Sequence, residues 1–467
     1  MKGLELLSNI SGKTVTLIGA GVSNMPLADF LIKRGAVLSV RDRKTENQLG
    51  ERADELKKAG AKLILGENYL DGIDEEIVFR SPGFRPDTPA LAEAVGRGSV
   101  LTSEIKLFLE CCPCPVAAVT GSDGKSTTTT VTSKLFAKAF EGSGRTSFLG
   151  GNIGEPLLHR LGSIKPDDAV SAELSSFQLM DIDCPVEVAV ITNITPNHLN
   201  WHTGMDEYIA AKANLLRRAR RAVLNFGNDI TRRLGESCTC PVTYFSRNPI
   251  PLDKIGEKDS AIFPEDGVIK LYSEGKSTEI MALSDILLPG LHNAENYMAA
   301  TAAAWGCASA EDVRGVARTF GGVAHRLQLI REKDGVYYYN SSIDSSPTRT
   351  AAALDALGGR SVVLMCGGYD KKIPYEPLAE AIFAHKNIRA VVTTGQTGPK
   401  IASLIRAGGE RAPELYEEET FDGAFYKASS LAKPGDCVLL SPASASFDAF
   451  ENFEKRGEHF ADLANGL

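Results

Sequence analysis

The stretch that most constrains this chain is AVTGSDGKSTTTT, Ala118 to Thr130, an apolar run that breaks into a glycine loop and resumes as a threonine-rich helix. A strand feeding a helix through such a turn leaves several backbone N–H groups unpaired at the helix N-terminus. Those groups, with the helix dipole, favour a polyphosphate. Lys125 adds a mobile positive charge for the outer phosphates. Ser126 or Thr127 offers a hydroxyl to the Mg²⁺ that accompanies ATP. The common phosphate-loop pattern has a glycine where this chain has Val119, so the loop is a shortened variant, TGxxGKST. Alone, the cluster also fits an ordinary strand-to-helix turn, and the downstream segments decide between the two.

With 467 residues the chain is too long for one core and divides into about three domains of ordinary size. Its 43% apolar and 24% charged residues place it among globular proteins. A formal charge of −8 argues against a nucleic-acid surface. The clustered Arg217, Arg218, Arg220 and Arg221 are expected at the solvated end of a helix. The opening MKGLELLSNISGK is interrupted by polar residues within a few positions and reads as neither signal peptide nor membrane span. The expectation is a cytoplasmic protein whose nine cysteines stay reduced. Cys111, Cys112 and Cys114 lack a second pair at zinc-site spacing and are expected to be buried or linker thiols.

The segment KTVTLIGAGVSNMPLADFLIKRGAVLSVRDRK reads as a βαβ unit with a Gly19-x-Gly21 turn and a second strand ending at Asp42. The third glycine of the dinucleotide fingerprint is Asn24 here, which disfavours a pyrophosphate lying close against the helix. A dehydrogenase remains an alternative, and Asp42 could bind a ribose under either reading. CCPCP, Cys111 to Pro115, disfavours helix and marks a domain junction.

Beyond the phosphate loop, AVSAELSSFQL delivers Glu173 at a strand end, where an acid among apolar neighbours needs a partner. AVITNITPNHLNWH is a strand running into a polar loop with His198 and His202. Beside Glu173 and the phosphate loop, His198 is a candidate second metal ligand. Lys212 lies inside a largely apolar helix, YIAAKANLL, and by itself reads as a snorkelling lysine. Residues Cys238 to Leu283 suggest short strands and turns, and LPGLHNAENYMAATAAAW a helix with Asn293 and Asn296 in its first turn. After GGVAHRLQLI, the segments SVVLMCGGYDKK, AVVTTGQTGPKIASLI and DCVLLSPASASFDAFENFEKRGEHF are three strand–loop–helix units of a mostly parallel sheet, whose ligands bind at strand C-terminal ends.

The ordered set TGSDGKST, GGNIG, ELSSFQL, NITPNHLNWH, AAK, HNAEN, HR, GGYDKK and SPASASFDAFENFEKRG resembles the Mur ligases of bacterial cell-wall synthesis over nearly the whole chain. GGYDKK and SPASASFDAF resemble the branch that adds D-glutamate. The resemblance implies an α/β protein of three domains. These are a Rossmann-like UDP-sugar domain over 1–112, a central ATP-binding domain over 113–321 and a Rossmann-like amino-acid domain over 322–467. It implies ATP-dependent joining of D-glutamate to UDP-N-acetylmuramoyl-L-alanine through an acyl phosphate, by a monomer without nucleic-acid or membrane partners.

Residue by residue, the resemblance assigns Val22, Ser23, Asp42 and Arg43 to the UDP substrate. ATP falls to Gly121, Ser122, Asp123, Gly124, Lys125, Ser126, Thr127, Asn152, Asn296, Arg326 and Ser341. Ser126 and Glu173 would hold a first Mg²⁺, and His198 with a carbamylated Lys212 a second. Lys125, His198 and Lys212 are the catalytic set, and Ser345, Lys371, Ser446 and Phe453 line the D-glutamate pocket. The chain departs from the family pattern at Asn197 and Asn200, where many relatives have aspartates. It departs also at Asp123, which replaces an asparagine, and at Ser341, which stands where relatives usually have aspartate. Two rivals stand beside it: a nicotinamide enzyme leaves the phosphate loop idle, whereas a sister ligase using another amino acid would explain both the ATP motifs and the domains, though folylpolyglutamate synthases lack the N-terminal UDP-binding domain.

Overall fold

In the computed structural model, which describes residues 2–21, 24–199, 201–288 and 290–467, the strands form three sheets. The first is wholly parallel, in the order β3-β2-β1-β4-β5. Its strands are β1 (Thr14–Ile18), β2 (Val37–Asp42), β3 (Lys62–Leu65), β4 (Ile77–Arg80) and β5 (Val100–Thr102). The chain reverses direction across the sheet at β1, so the crevice beyond the C-terminal end of β1 is where a doubly wound sheet takes a ligand. The glycine turn sits there. Asn24, at the third fingerprint position, is buried and donates from Nδ2 to Gly19 O at 2.6 Å and to Ser81 Oγ at 2.9 Å. Its side chain ties the turn to the loop after β4, a role that a glycine could not fill.

The second sheet runs β14-β13-β12-β11-β10-β9-β6-β8-β7. It comprises β6 (Val116–Thr120), β7 (Ser147–Gly151), β8 (Ala169–Glu173), β9 (Val186–Ile191), β10 (Ala219–Asn225), β11 (Val242–Phe245), β12 (Ser260–Glu265), β13 (Val268–Ser273) and β14 (Lys276–Ala282). It is parallel except for the β12–β13–β14 meander. All five β6 residues are buried, as a central parallel strand covered on both faces requires. Val119 is 0% exposed within it. The loop is short because this position is strand, packed between β8 and β9.

The helix Lys125–Ala139 then buries Thr128, Thr129 and Thr132. Threonine tolerates this because its hydroxyl can donate to the carbonyl one turn back. Thr129 donates to Lys125 O and Thr132 to Thr128 O, both at 2.8 Å. The arginine cluster departs from expectation. Arg220 and Arg221 lie on β10, and Arg221 donates to Ala302 O at 2.9 Å and Ala303 O at 2.6 Å, satisfying carbonyls at the end of the helix Leu291–Ala304.

The third sheet, β15-β16-β20-β17-β18-β19, holds β15 (Gln328–Lys333), β16 (Val336–Asn340), β17 (Val362–Gly367), β18 (Ile388–Thr394), β19 (Glu414–Glu417) and β20 (Cys437–Leu440). Only the β15–β16 hairpin is antiparallel. The chain divides into two compact units. One is Met1–Asp285 with His292–Arg318, which contains the first two sheets; the other is Ile286–Leu291 with Thr319–Leu467. Among the described residues no helix is long and apolar enough to cross a membrane.

Candidate active site

At the C-terminal end of β6 the chain turns through Gly121 (φ 150°) and Gly124 (φ 78°), conformations that side-chain-bearing residues rarely adopt. Close approach adds a second requirement. A Cβ on Gly121 would collide with Thr192 Oγ1, and one on Gly124 with Asn296 Oδ1. The loop is held from the segment after β9. Ser122 N donates to Asn193 O at 2.9 Å, Asp123 N to Asn193 Oδ1 at 3.0 Å, and Thr192 Oγ1 to Asp123 O at 2.5 Å. Ser122 Oγ donates to Thr195 O and shares a hydrogen bond with Tyr208 Oη, each at 2.9 Å. Lys125 folds back on the loop, its Nζ donating to Gly121 O at 3.1 Å and Ser122 O at 2.9 Å. Ser126 is buried in the first helical turn.

Asn296 lies a turn further into its helix than expected and orients two ways. Its Nδ2 donates to Asn293 Oδ1 at 3.0 Å, and its Oδ1 accepts from Thr128 Oγ1 at 3.3 Å. Glu173, at the end of β8, is 2% exposed. Its Oε1 accepts from Asn152 Nδ2 at 2.9 Å, whereas Oε2 is buried with no partner. A buried carboxylate oxygen without a donor is costly unless a cation or donor meets it. The loop and Glu173 thus fit a hydrated divalent cation carried on a triphosphate.

Lys212, in the helix Met205–Ala213, is 1% exposed. Its Nζ donates to Gly121 O at 2.7 Å and Thr120 Oγ1 at 3.2 Å, beneath the phosphate loop. Burial first, then the nearby Lys125 charge, lowers this amine to about 7. His198 has φ 55° and an edge-to-face contact with Phe177 at 4.9 Å. Desolvation, then the charges of Lys125 and Lys212, hold its imidazole below its usual value, a shift toward the form that ligates metals. Among the described residues no group of three or more His, Cys, Asp or Glu side chains forms a metal site.

The sequence reading missed the frame behind His198. His202, with its side chain fully buried, bonds Ser176 Oγ through Nε2 at 2.9 Å and Glu207 Oε2 through Nδ1 at 3.1 Å. Arg85 pairs with Glu207 at 2.7 Å and holds that carboxyl down at about 2. Trp201 Nε1 donates to Gly83 O at 3.2 Å. These bonds tie the loop after β4 to the loop carrying His198. Their only sequence signal was a second histidine in the same polar loop.

At the first sheet, Asp42 accepts from Ala20 N at 2.7 Å and Lys44 N at 2.8 Å, so its carboxylate shapes the glycine turn, and Arg43 is exposed beside it. Val22 and Ser23, assigned to the same substrate, lie outside the described residues, as does Asn200.

In the second unit Lys371 Nζ donates to Ser345 O at 3.1 Å and Ser345 Oγ at 3.0 Å. Desolvation, with the charges of Arg349 and Arg456, lowers its pKa. Ser446 is buried after β20, and Phe453 opens the helix Phe453–Gly466, its carbonyl accepting from Ser342 Oγ at 2.8 Å. Arg456, unassigned from sequence, binds these strands of chain together. It is 2% exposed and donates to Ser342 Oγ at 3.0 Å, Ser342 O at 2.9 Å, Ala445 O at 2.9 Å and Ser444 O at 3.1 Å. Ser341 accepts from Leu327 N at 3.0 Å and bonds the Asp344 carboxyl. A cavity of about 240 Å³ lined by Gly368, Gly395, Asp448, Phe450 and Arg456 adjoins β17 and β18, and Lys371, Ser446 and Phe453 are not part of its wall.

A glycine loop of the phosphate-binding kind at the switch point of a mostly parallel sheet, with a buried acid, a histidine and a lysine of lowered pKa around it, defines a nucleotide-dependent α/β enzyme. Comparison with known proteins narrows this. Residues 119–304 match the Mur ligase middle domain and residues 325–444 the Mur ligase glutamate ligase domain. A UDP-N-acetylmuramoylalanine–D-glutamate ligase of Clostridium perfringens is 44% identical over 99% of this chain and 99% of its own length. One of Acetivibrio thermocellus is 42% identical over 99% of this chain and 98% of its own. The solved UDP-N-acetylmuramate-alanine ligase of Thermotoga maritima shares the fold, with a TM-score of 0.55 at 18% identity over 97% of this chain and 99% of its own. The chain belongs to the Mur ligase family.

Proposed function

We propose that this chain joins D-glutamate to UDP-N-acetylmuramoyl-L-alanine at the expense of ATP, in the cytoplasmic synthesis of peptidoglycan precursors, as a monomer. The observation that carries this reading is the end-to-end likeness, at 42–44% identity, to relatives named for that reaction. Residues 1–112 would take the UDP substrate through Asp42 and Arg43 with Val22 and Ser23. Residues 113–321 would take ATP, and residues 322–467 D-glutamate through Ser345, Lys371, Ser446 and Phe453.

The chemistry brings two anions together, since the substrate carboxylate attacks the γ-phosphorus of ATP and ADP leaves. Loop N–H groups of 121–127 would cradle the phosphates, and Lys125 would swing from its own loop carbonyls to the transferring group. Ser126 and Glu173 would hold one Mg²⁺, and His198 and Lys212 a second. When bound, such ions offset the repulsion between carboxylate and phosphate. Lys212 fits this role once carbamylated. An amine lowered to about 7 is substantially neutral, can add CO₂, and then presents an anionic oxygen where an ammonium would repel the ion. The amine of D-glutamate then attacks the acyl phosphate and inorganic phosphate departs, leaving the amide. Asn152, Asn296, Arg326 and Ser341 would complete the nucleotide site.

Phosphate release measured with UDP-N-acetylmuramoyl-L-alanine and, in turn, D-glutamate, L-alanine, L-lysine and meso-diaminopimelate tests the reading. Turnover with D-glutamate alone is expected. Preference for another amino acid would move the chain to a sister activity.

A further inference from the structure

CCPCP, between the first two sheets in the chain, lies outside every residue assigned to ligation, and its geometry is specific. Cys112 and Cys114 flank Pro113, and their sulfurs stand 3.7 Å apart. We propose that Cys112 and Cys114 are a reversible dithiol–disulfide modification site whose co-reactant is a low-molecular-weight disulfide of the glutathione type.

A disulfide requires the two sulfurs to close to about 2 Å, so the pair is within a short side-chain movement of bonding. Pro113 fixes its own φ and keeps the intervening backbone from wandering, which lowers the entropic cost of closure. The two thiols are unequal. Cys112, at the end of the helix Glu104–Cys111, is partly exposed, whereas Cys114 is 7% exposed at the edge of the core. Cys112 is thus the sulfur a soluble disulfide reaches, and Cys114 the one positioned to resolve the adduct. Hydrogen bonding from Cys114 also holds the Cys112 thiol below its ordinary value, while that bond and, after it, burial raise Cys114. The fully buried Cys366, by contrast, is pushed up to about 12 by burial.

The reaction balances in two exchanges. The Cys112 thiolate, its proton given to solvent, attacks one sulfur of the small disulfide and expels a thiolate. Cys114 then loses its proton and attacks the Cys112 sulfur, expelling the second thiolate. The protein gives up two protons and two electrons, and the small disulfide becomes two thiols. The tight ring favours an easily reduced bond, one that follows the surrounding thiol poise instead of persisting as a structural staple.

The test equilibrates the native protein with graded mixtures of reduced and oxidised glutathione, quenches with acid, alkylates the free thiols in denaturant, and reads intact and tryptic-peptide masses. The expected result is loss of two of the nine alkylatable thiols, with the disulfide inside the peptide 107–125, reversed by dithiothreitol. Cys114→Ser should stop at a glutathione adduct on Cys112, and Cys112→Ser should keep its remaining thiols reduced at the same poise. Full alkylation of the native protein at every poise would overturn the proposal. So would a disulfide mapping to the neighbouring pair Cys238 and Cys240, or loss of two thiols in Cys112→Ser as well.

Discussion

The phosphate loop and the Lys371 region are built on opposite plans. Around Gly121 to Ser126, loop groups are engaged by the protein itself, by Asn193, Thr195, Tyr208 and Lys212, so the site stands ready before any ligand arrives. Around Lys371 the bonding is sparse. Lys371 is exposed, leans on Ser345 and feels the charges of Arg349 and Arg456, while Asp344 and Asp448 stand near Arg456. A preorganised loop suits a step in which charge develops and reorganisation must be avoided. A lysine held so lightly is free to turn to an anionic ligand that completes its hydrogen bonds.

That contrast breaks most sharply at Lys212. Lys212→Ala should leave almost no ligation, and short-chain carboxylates in the assay should restore part of it if the missing group is an anionic oxygen. In the native enzyme, carbamylation needs the neutral amine. Its pKa is lowered to about 7, so activity after CO₂ depletion should recover well above pH 7 on adding bicarbonate and poorly below it. Absence of both rescue and bicarbonate response would leave Lys212 as a support for Gly121 alone. Lys125→Ala should follow in size. Loss of a charge contact made in the transition state costs about 3 kcal/mol or more, at least roughly a hundredfold in rate. Near-normal turnover in a folded variant would remove Lys125 from the chemistry.

Arg456 sharpens the comparison from the other side, because here it is the frame of the second unit that is fixed by internal bonds. Arg456→Met leaves the carbonyls of Ser342, Ser444 and Ala445 buried without this donor. The cost should be about 3 kcal/mol of stability, read as a lowered urea midpoint. An unchanged midpoint would mean that other donors replace it. Lys371→Ala, in contrast, should leave stability intact and raise the KM for D-glutamate by roughly tenfold to a hundredfold, the worth of a charged hydrogen bond. Equal effects on the KM for ATP would move Lys371 out of the amino-acid pocket.

What sequence could tell follows the same division. The strand, glycine loop and helix of the candidate site were legible because they are contiguous, and TGSDGKST states them in order. Glu173 and His198 were legible as polar residues at the ends of apolar strands. The His202–Glu207–Arg85 frame was not, because Arg85 and Glu207 are far apart in the chain and meet only through tertiary packing. Arg456 was hidden for the same reason, since its acceptors come from the segments after β16 and after β20, with β17, β18 and β19 between them in the chain. Arg221 misled because an arginine run reads as solvated until a helix end supplies carbonyls to it. Asn24 was seen as a missing glycine, but its hydrogen bonds to Gly19 and Ser81 required the fold.

The smallest effect concerns Ser341, at the end of β16, where the family pattern has an acid. Asp344 is 6% exposed, accepts from Ser441 Oγ at 2.9 Å and bonds the Ser341 side chain. A carboxyl group therefore already stands beside the position from which one is missing. Burial pushes its pKa up, and the hydroxyls of Ser341 and Ser441 work against that shift. If Asp344 supplies the acceptor that Ser341 lacks, Asp344→Ala should raise the KM for ATP about tenfold, the equivalent of roughly 1.4 kcal/mol, and leave that for D-glutamate unchanged. Ser341→Asp should then give no gain, because it sets a second carboxylate against the first and pays in repulsion what it adds in acceptors. Tighter ATP binding in Ser341→Asp, with Asp344→Ala silent, would show instead that the serine is an uncompensated loss. Titrations unchanged in both variants would detach this corner from the nucleotide altogether.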